Sequence, residues 1–122
     1  DWYYASVRYA FAHPWVDGLA VLYCETAITD PLEIADGIKQ ALDDAGVKDK
    51  PVVVSFVGGE QSDAARKWLV ENGVPAYDAP DVAVNALAAL REYARVEPEW
   101  VRGFADTHDL SPLSRREALK HL

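Results

Sequence analysis

The stretch that decides the fold is KPVVVSFVGGEQSDAARKWLVENGVPAYDAPDVAVNAL, residues Lys50 to Leu87. It contains a continuous apolar run (Pro51–Val57), a Gly-Gly turn, a helical pattern, a second apolar run (Val74–Tyr77) and a helix that starts at Pro80. Continuous apolar runs of this length are typical of strands that are covered on both faces, as in a parallel sheet. The stretch therefore predicts two strands, each followed by a helix.

The residues before this stretch extend the same alternation. Leu19 to Tyr23 is another continuous apolar run, and the following segment has Asp30 as a helix N-cap, Pro31 at the first helical position and Gly46 as the stop. Each connection between strands is long enough for a right-handed crossover. We therefore predict an α/β fold with a three-layer parallel sheet.

Helical spacing predicts which residues of each helix face the core. Residues 2–12 read as a helix before the first strand. The predicted core faces are Trp2, Tyr3, Val7, Tyr9 and Ala10 in this first helix, Leu32, Ala35, Ile38 and Leu42 in the second, Ala64, Trp68 and Leu69 in the third, and Val82, Ala86, Leu87, Leu90 and Tyr93 in the fourth.

The charge balance of the chain disfavours two classes of partner. Its 122 residues carry a formal net charge of −8 and show no basic stripe, so we expect neither nucleic-acid binding nor an anionic membrane surface. The single cysteine, Cys24, rules out a disulfide within the chain, and no signal-peptide pattern is visible, which favours the cytoplasm. The longest apolar stretch, GLAVLYC, is too short to cross a bilayer.

No catalytic or metal-binding motif is visible. His13, His108 and His121 have no His or Cys neighbour at metal-ligand spacing, and Cys24 reads as a small buried hydrophobe. The sequence has no phosphate-binding P-loop, no dinucleotide fingerprint and no esterase elbow. We therefore assign no catalytic residue and no metal ligand.

Two loops are the candidate binding site, because ligands of parallel α/β sheets gather beyond the carboxyl ends of the strands. Each loop leads into a helix N-terminus, which favours an anion, although ordinary turn chemistry explains the same residues. The candidate contacts are Glu25, Thr26, Ala27, Ile28 and Thr29 in the first loop and Gly58, Gly59 and Glu60 in the second.

An ordered set of motifs resembles the NDP-forming acyl-CoA synthetases, the acetate–CoA ligase (ADP-forming) group, in their small flavodoxin-like CoA-ligase domain. The motifs are Gly58-Gly59, Asn72-Gly73-Val74-Pro75, Tyr77, Pro80 and the Ala/Leu-rich run from Ala83 to Arg95. The upstream segment HPWVDGLAVLYCETAITDPLEIADGI is similar to the same family and, more distantly, to succinyl-CoA synthetase β subunits. The resemblance covers about residues 5–95.

The resemblance implies a parent enzyme that converts acyl-CoA, ADP and phosphate to acid, CoA and ATP through a phosphohistidine. It implies CoA, ATP or ADP, and Mg as cofactors of the parent, none of them bound by this chain alone. It also implies CoA-binding and ATP-grasp domains as partners, and a contact between the two loops and the phosphohistidine loop. Succinyl-CoA synthetases have Gly-Gly where this chain has Thr26-Ala27.

The resemblance further implies domain boundaries. Residues 1–96 correspond to the flavodoxin-like domain, and residues 97–122 to a linker and the start of a following helix near Ser114. The chain starts directly with apolar residues at helical spacing and without an initiator Met, so we interpret it as part of a longer protein whose first sheet strand is missing. A bare sheet edge would then be open to pairing with a second copy.

Two other hypotheses remain open at this stage. The parent could be a protein lysine acetyltransferase, in which a synthetase-like domain is regulatory, or the chain could be a stand-alone flavodoxin-like binding module. The sequence beyond Leu122 would distinguish the first alternative, and flavin absorbance would reveal one form of the second.

Overall fold

Alternating apolar runs and helical repeats produce the order helix–strand–helix–strand–helix–strand–helix. The computed structural model describes residues 2–46 and 48–107, with side chains as far as Arg95. The elements are α1 (Trp2–Ala12), β1 (Leu19–Cys24), α2 (Pro31–Ala45), β2 (Val52–Val57), α3 (Glu60–Glu71), β3 (Ala76–Tyr77) and α4 (Pro80–Thr107).

The three strands form one parallel sheet in the order β1-β2-β3. The pairing of β1 with β2 runs from Leu19 opposite Val52 to Cys24 opposite Val57. β3 is shorter than its predicted span because the backbone N–H of Val74 bonds the carbonyl of Leu69, at the end of α3, at 2.9 Å. The predicted α/β class with a parallel sheet is confirmed.

The main core lies on one face of the sheet, under α1, α2 and α3. Alternation along the strands brings Val21 and Tyr23 of β1 beside Val54 and Phe56 of β2 on this face. The helices complete the cluster with Val7, Ile34, Ala35, Ile38, Ala41, Ala65 and Leu69, joined by Val74. This burial of apolar surface is the main favourable contribution to folding.

The second face is covered by the first turns of α4. Val53 and Ser55 of β2, which alternate away from the main core, are buried, and so is Ala83 of α4. A Cβ built at Gly18 would lie 3.4 Å from Leu87 Cδ1, so α4 passes close to the start of β1. Helices therefore lie on both faces of the sheet, which gives the three predicted layers.

The predictions that β1 is covered on both faces and that Cys24 is buried are wrong. Burial alternates along β1, and Leu22 and Cys24 are exposed. The reason is that α4 leaves the second face of β1 open along most of its length. β2, the central strand, is covered on both faces as predicted.

Several predicted helix faces are rotated in the structure. In α1 the buried residues are Val7 and Phe11, whereas Trp2 and Tyr9 are exposed. In α3 the core residue is Ala65 and not Ala64.

In α1 the reason is that apolar residues surround much of the helix, so that its packing against α2 selects the buried stripe. The same limitation affects α2, where Ile34 and Ala41 are buried. Among the side chains of α4 up to Arg95, Ala83 is the buried one. Among the predicted residues, Leu32, Val82, Leu90 and Tyr93 are exposed.

The fourth helix runs to Thr107, through part of the segment predicted to be a linker. Good helix formers such as Glu97, Glu99 and Arg102 flank Pro98, and the helix continues there despite the backbone hydrogen bond that a proline removes and the clash of its ring with the preceding turn. The chain divides into two compact units, Asp1–Leu90 and Arg91–Leu122. The helix predicted from Ser114 lies outside the described residues, and the domain boundary at residue 96 stays a prediction.

The ends of α1 and α2 are closed by identifiable groups. The Asp30 carboxylate accepts the Leu32 N–H at 2.8 Å, and Gly46 ends α2 in the left-handed conformation at φ 63°, both as predicted. At the end of α1, Lys50 Nζ donates to the carbonyl oxygens of Phe11 and His13 at 3.1 and 2.7 Å. A cation at this position also complements the negative end of the helix dipole.

β1 and the two-residue β3 are the outer strands of the sheet among the described residues, and the longer unpaired edge runs along β1. The odd-numbered residues of β1 pair with β2, so the N–H and C=O groups of Ala20, Leu22 and Cys24 point to the open edge. The Tyr3 hydroxyl donates to the Leu22 carbonyl at 3.4 Å and covers one of these groups.

Ser55 gives a first testable prediction. Its hydroxyl oxygen is buried and has no hydrogen-bond partner among the described residues. Because an unsatisfied buried hydroxyl is unfavourable, Ser55→Ala should raise the free energy of unfolding by about 1 kcal/mol. Urea denaturation measures this change. Ser62→Ala is the matched control, and a destabilised Ser55→Ala variant would contradict the assignment.

Candidate site at the carboxyl ends of the strands

The two predicted loops emerge side by side at one end of the sheet. Cys24 and Val57 are opposite each other at the ends of β1 and β2, and the Glu25 N–H donates to the Val57 carbonyl at 2.8 Å. The surface formed by residues 25–30 and 58–63 is called the rim below. The parallel pairing on which the site prediction depends is confirmed.

Glu25 joins the two loops through its side chain. One carboxylate oxygen, Oε2, accepts the Gly59 N–H at 2.8 Å and the Ser62 hydroxyl at 2.6 Å. Gly59 is the N-cap of α3 and has no side chain to cap the helix. Glu25, at the end of β1, therefore provides the cap acceptor that the Gly59 N-cap of α3 lacks.

This contact requires glycine at position 58. A Cβ built there would lie 2.2 Å from Glu25 Oε2 and 2.3 Å from Ser62 Oγ, well inside contact distance. A Cβ at Gly59 would meet nothing within 4 Å. Of the two glycines, only Gly58 is required for the close approach of β1 to α3.

The first loop is held by a chain of hydroxyl groups. The Tyr23 hydroxyl and Thr29 Oγ1 are 2.8 Å apart, and Thr29 Oγ1 and Thr26 Oγ1 are 2.9 Å apart. The Thr29 N–H also bonds the Thr26 carbonyl at 3.4 Å. These contacts fix the base of the loop, while Ile28 at its tip is 92% exposed.

The predicted contacts thus divide into three groups. Glu25, Gly58 and Gly59 form the junction between the loops, Thr26 and Thr29 hold the first loop, and Ala27, Ile28 and Glu60 face outward. Sequence reasoning placed Ser62 in the second loop but did not choose it as a contact, and it missed Tyr23, which supports the rim from β1. Their signal was weak, because a serine at the third position of a helix and an aromatic residue in a strand are common.

The rim is acidic. Besides Glu25 and Asp30, it contains Glu60 and Asp63 of the first turn of α3, and Glu33 follows it in the first turn of α2. Only Asp63 has an ion-pair partner, Arg66, at 2.9 Å, among the described residues. The two helix N-termini therefore already hold carboxylates of the chain itself, Asp30 on α2 and Glu25 on α3.

Comparison with known proteins shows which family the chain belongs to. The profile of the Ligase-CoA domain family matches residues 1–99. The chain belongs to the Ligase-CoA domain family. A second profile, that of the DNA alkylation repair enzymes, matches residues 83–122, less than half of the chain and overlapping the first match, and it assigns no family.

The curated relatives of this Ligase-CoA domain include ADP-forming acetate–CoA ligases. One of them is the acetate–CoA ligase [ADP-forming] I subunit alpha of Pyrococcus furiosus, to which the chain is 43% identical over 93 residues. The match covers 76% of this chain and 20% of that subunit. The dinucleotide-forming acetyl-coenzyme A synthetase 1 of Ca. Korarchaeum cryptofilum, in its apo form, superposes with a TM-score of 0.78 at 40% identity, over 84% of this chain and 22% of that one.

The same Korarchaeum enzyme in complex with phosphate and ADP also superposes, with a TM-score of 0.78 and 41% identity. The chain spans about a fifth of the length of the relatives that it matches.

The described residues of the Ligase-CoA domain contain no group of three or more His, Cys, Asp or Glu side chains placed to hold a metal ion. In residues 2–46 and 48–107, no helix is long and apolar enough to cross a membrane. The rim offers hydroxyl groups, carboxylates and an apolar tip, which suit contact with another protein segment.

The pKa of Glu25 gives a second testable prediction. Hydrogen bonds from the Ser62 hydroxyl and then from the Gly59 N–H lower the pKa of Glu25 below its ordinary value of 4.5, against a smaller opposing effect of desolvation. The carboxylate therefore stabilises the fold above pH 4.5, and this contribution is lost as the pH falls through the lowered pKa.

We expect the stability difference between the wild type and Glu25→Gln to shrink as the pH falls below 4.5. Urea denaturation at a series of pH values measures it. Asp36→Asn, on the exposed surface of α2, is the control. A stability difference between the wild type and Glu25→Gln that stays constant down to the lowest pH at which the protein folds would contradict the lowered pKa of Glu25.

Proposed function

We propose that the chain is the Ligase-CoA domain of an NDP-forming acyl-CoA synthetase, which converts acyl-CoA, ADP and phosphate to acid, CoA and ATP. In this proposal the domain has no catalytic residue of its own. Its rim contacts the loop that carries the phosphohistidine and positions that loop. The observation that supports the proposal is that the loops after β1 and β2 emerge side by side at one end of a parallel sheet.

The geometry of the rim supports contact with the loop more than with a bare phosphate. Asp30 and Glu25 accept N–H groups at the N-termini of α2 and α3, so an incoming phosphate would meet a carboxylate at each helix. The exposed Ile28 and Ala27 suit apolar contact, and Thr26 offers a hydroxyl to a backbone group. These residues are our proposed contacts with the phosphohistidine loop.

The cofactors belong to other parts of the ligase in this proposal. CoA, ATP or ADP, and Mg would be bound by CoA-binding and ATP-grasp domains, since the described residues include neither a phosphate-binding motif nor a metal group. We propose a cytoplasmic location, in keeping with a single cysteine and no disulfide within the chain.

Pairing of two copies along β1 is a further part of the proposal. The N–H and C=O groups of Ala20 and Cys24 at the open edge can bond a second strand. Sedimentation of the chain at several concentrations tests this. A chain that stays monomeric at high concentration would exclude self-pairing.

The test of the main proposal uses the complete ligase. Ile28→Asp should lower the kcat for ATP formation from acyl-CoA, ADP and phosphate tenfold or more, because it places a charge at the proposed loop contact, and thermal unfolding should not change. Val70→Asp on α3, also at an exposed position, is the matched control. Full activity of a ligase that lacks residues 1–95 would overturn the proposal.

A further inference from the structure

The outer face of α1 and the turn after it expose an unusual number of aromatic side chains. Trp2 and Trp15 are each 88% exposed and Tyr9 is 74% exposed. Monomeric proteins rarely leave such side chains together in water, and Trp, Tyr and Arg are the residue types that contribute most to binding at protein interfaces.

Tyr9 is also one of the residues that line a groove of about 480 Å³ on α1. The groove is lined by Tyr4, Ala5, Arg8, Tyr9, Ala12, His13 and Pro14. Three of the rings contact one another, because Tyr9 and His13 have centroids 5.8 Å apart and His13 and Trp15 have centroids 6.2 Å apart. Rings that already pack together lose less rotamer freedom when a partner binds them.

Arg8 is the one charged residue of the α1 helix sequence and of the groove lining. It has no carboxylate within ion-pair distance among the described residues. It lies near the hydroxyl of Tyr4, which itself donates to Asp44 Oδ2 at 2.7 Å. A guanidinium has five donors, so most of those on Arg8 remain available to an incoming carboxylate.

We infer that the α1 groove is the docking site for a segment of another domain of the ligase, one that places an apolar side chain between Tyr9 and Pro14 and a carboxylate on Arg8. The choice of this occupant rests on the proposed function, in which the chain is one domain of a longer ligase. The relatives are about five times longer than this chain, so a ligase of that length has other domains to supply the segment.

Photo-cross-linking in the complete ligase tests the site. With p-benzoylphenylalanine in place of Tyr9, we expect a cross-link to a peptide of another domain that contains Asp or Glu. The same probe in place of Val70, which is 54% exposed on α3, is the matched control and should give a much lower yield of that peptide. A cross-link to this domain itself or to a second copy, or equal yields from both positions, would overturn the inference.

Binding of the separate pieces distinguishes this inference from the proposed function. The probe is the rest of the ligase, expressed as its own polypeptide and titrated with this chain by calorimetry. Arg8→Glu should raise the Kd tenfold or more, and Arg8→Lys should raise it less, with unchanged thermal unfolding. If the wild-type chain neither binds nor restores turnover, the proposed function fails. If it does both and Arg8→Glu binds equally well, only the docking site is wrong.

Discussion

Gly58→Ala is expected to destabilise the protein by about 3 kcal/mol. The new Cβ would lie 2.2 Å from Glu25 Oε2, 2.3 Å from Ser62 Oγ and 2.5 Å from Glu25 Cβ. Truncating Glu25 to alanine would not remove the clash, because its own Cβ is one of these atoms. The backbone at the end of β2 would have to shift, which would break the bonds from Gly59 and Ser62 to the Glu25 carboxylate.

The neighbouring glycine provides the control. Gly59 has φ −90°, a value open to any residue, and a Cβ there meets nothing within 4 Å. We expect Gly59→Ala to change the free energy of unfolding by less than about 1 kcal/mol, in either direction. Urea denaturation of both variants measures the contrast, and equal losses at the two positions would show that Glu25 does not sit where the structure places it.

Phe56→Ala is expected to cost about 4 kcal/mol, because it opens a large cavity at the centre of the sheet. Phe56 has no exposed surface, lies on the central strand and packs against Tyr23 with ring centroids 4.6 Å apart. For a protein of this size, such a loss is a large part of the whole stability. We expect a lowered thermal midpoint and a loss of near-ultraviolet circular dichroism from Tyr23.

Ile28→Ala is the matched control for the core variant. Both substitutions remove a large apolar side chain, but Ile28 is 92% exposed and its removal leaves no cavity. The free energy of unfolding should stay within about 0.5 kcal/mol of wild type. A strongly destabilised Ile28→Ala variant would mean that the tip of the loop packs against the domain.

The strands and the ends of α2 could be predicted from the sequence because their signals are local. The apolar run at Val52–Val57 has strand length, and Asp30, Pro31 and Gly46 act within one turn of the helix that they begin or end. The position of the rim followed from the parallel connections alone.

Other features depended on contacts between distant residues. The buried side of α1 could not be chosen from spacing, since Trp2 and Tyr9 are as apolar as Val7 and Phe11, and only packing against α2 decides between them. The open face over Cys24 likewise depends on where α4 crosses the sheet. Sequence spacing alone carries no information on either point.

The role of Glu25 was only half predictable. Its place at the end of β1 made it a candidate contact, but its partner Ser62 is 37 residues further along the chain. The helix N-terminus suggested an anion site at α3, whereas the structure fills that position with the chain's own carboxylate. A glycine N-cap with no side chain was the one local sign that α3 needed an acceptor from elsewhere.

This long-range cap also links two events in folding. The first turn of α3 receives its acceptor only after β1 has aligned beside β2, so nascent helix in that segment should fray until the sheet has assembled. In native-state hydrogen exchange, the Gly59 and Ser62 amides should consequently open together with the β1–β2 pairing, and not with the independent fraying of a helix end.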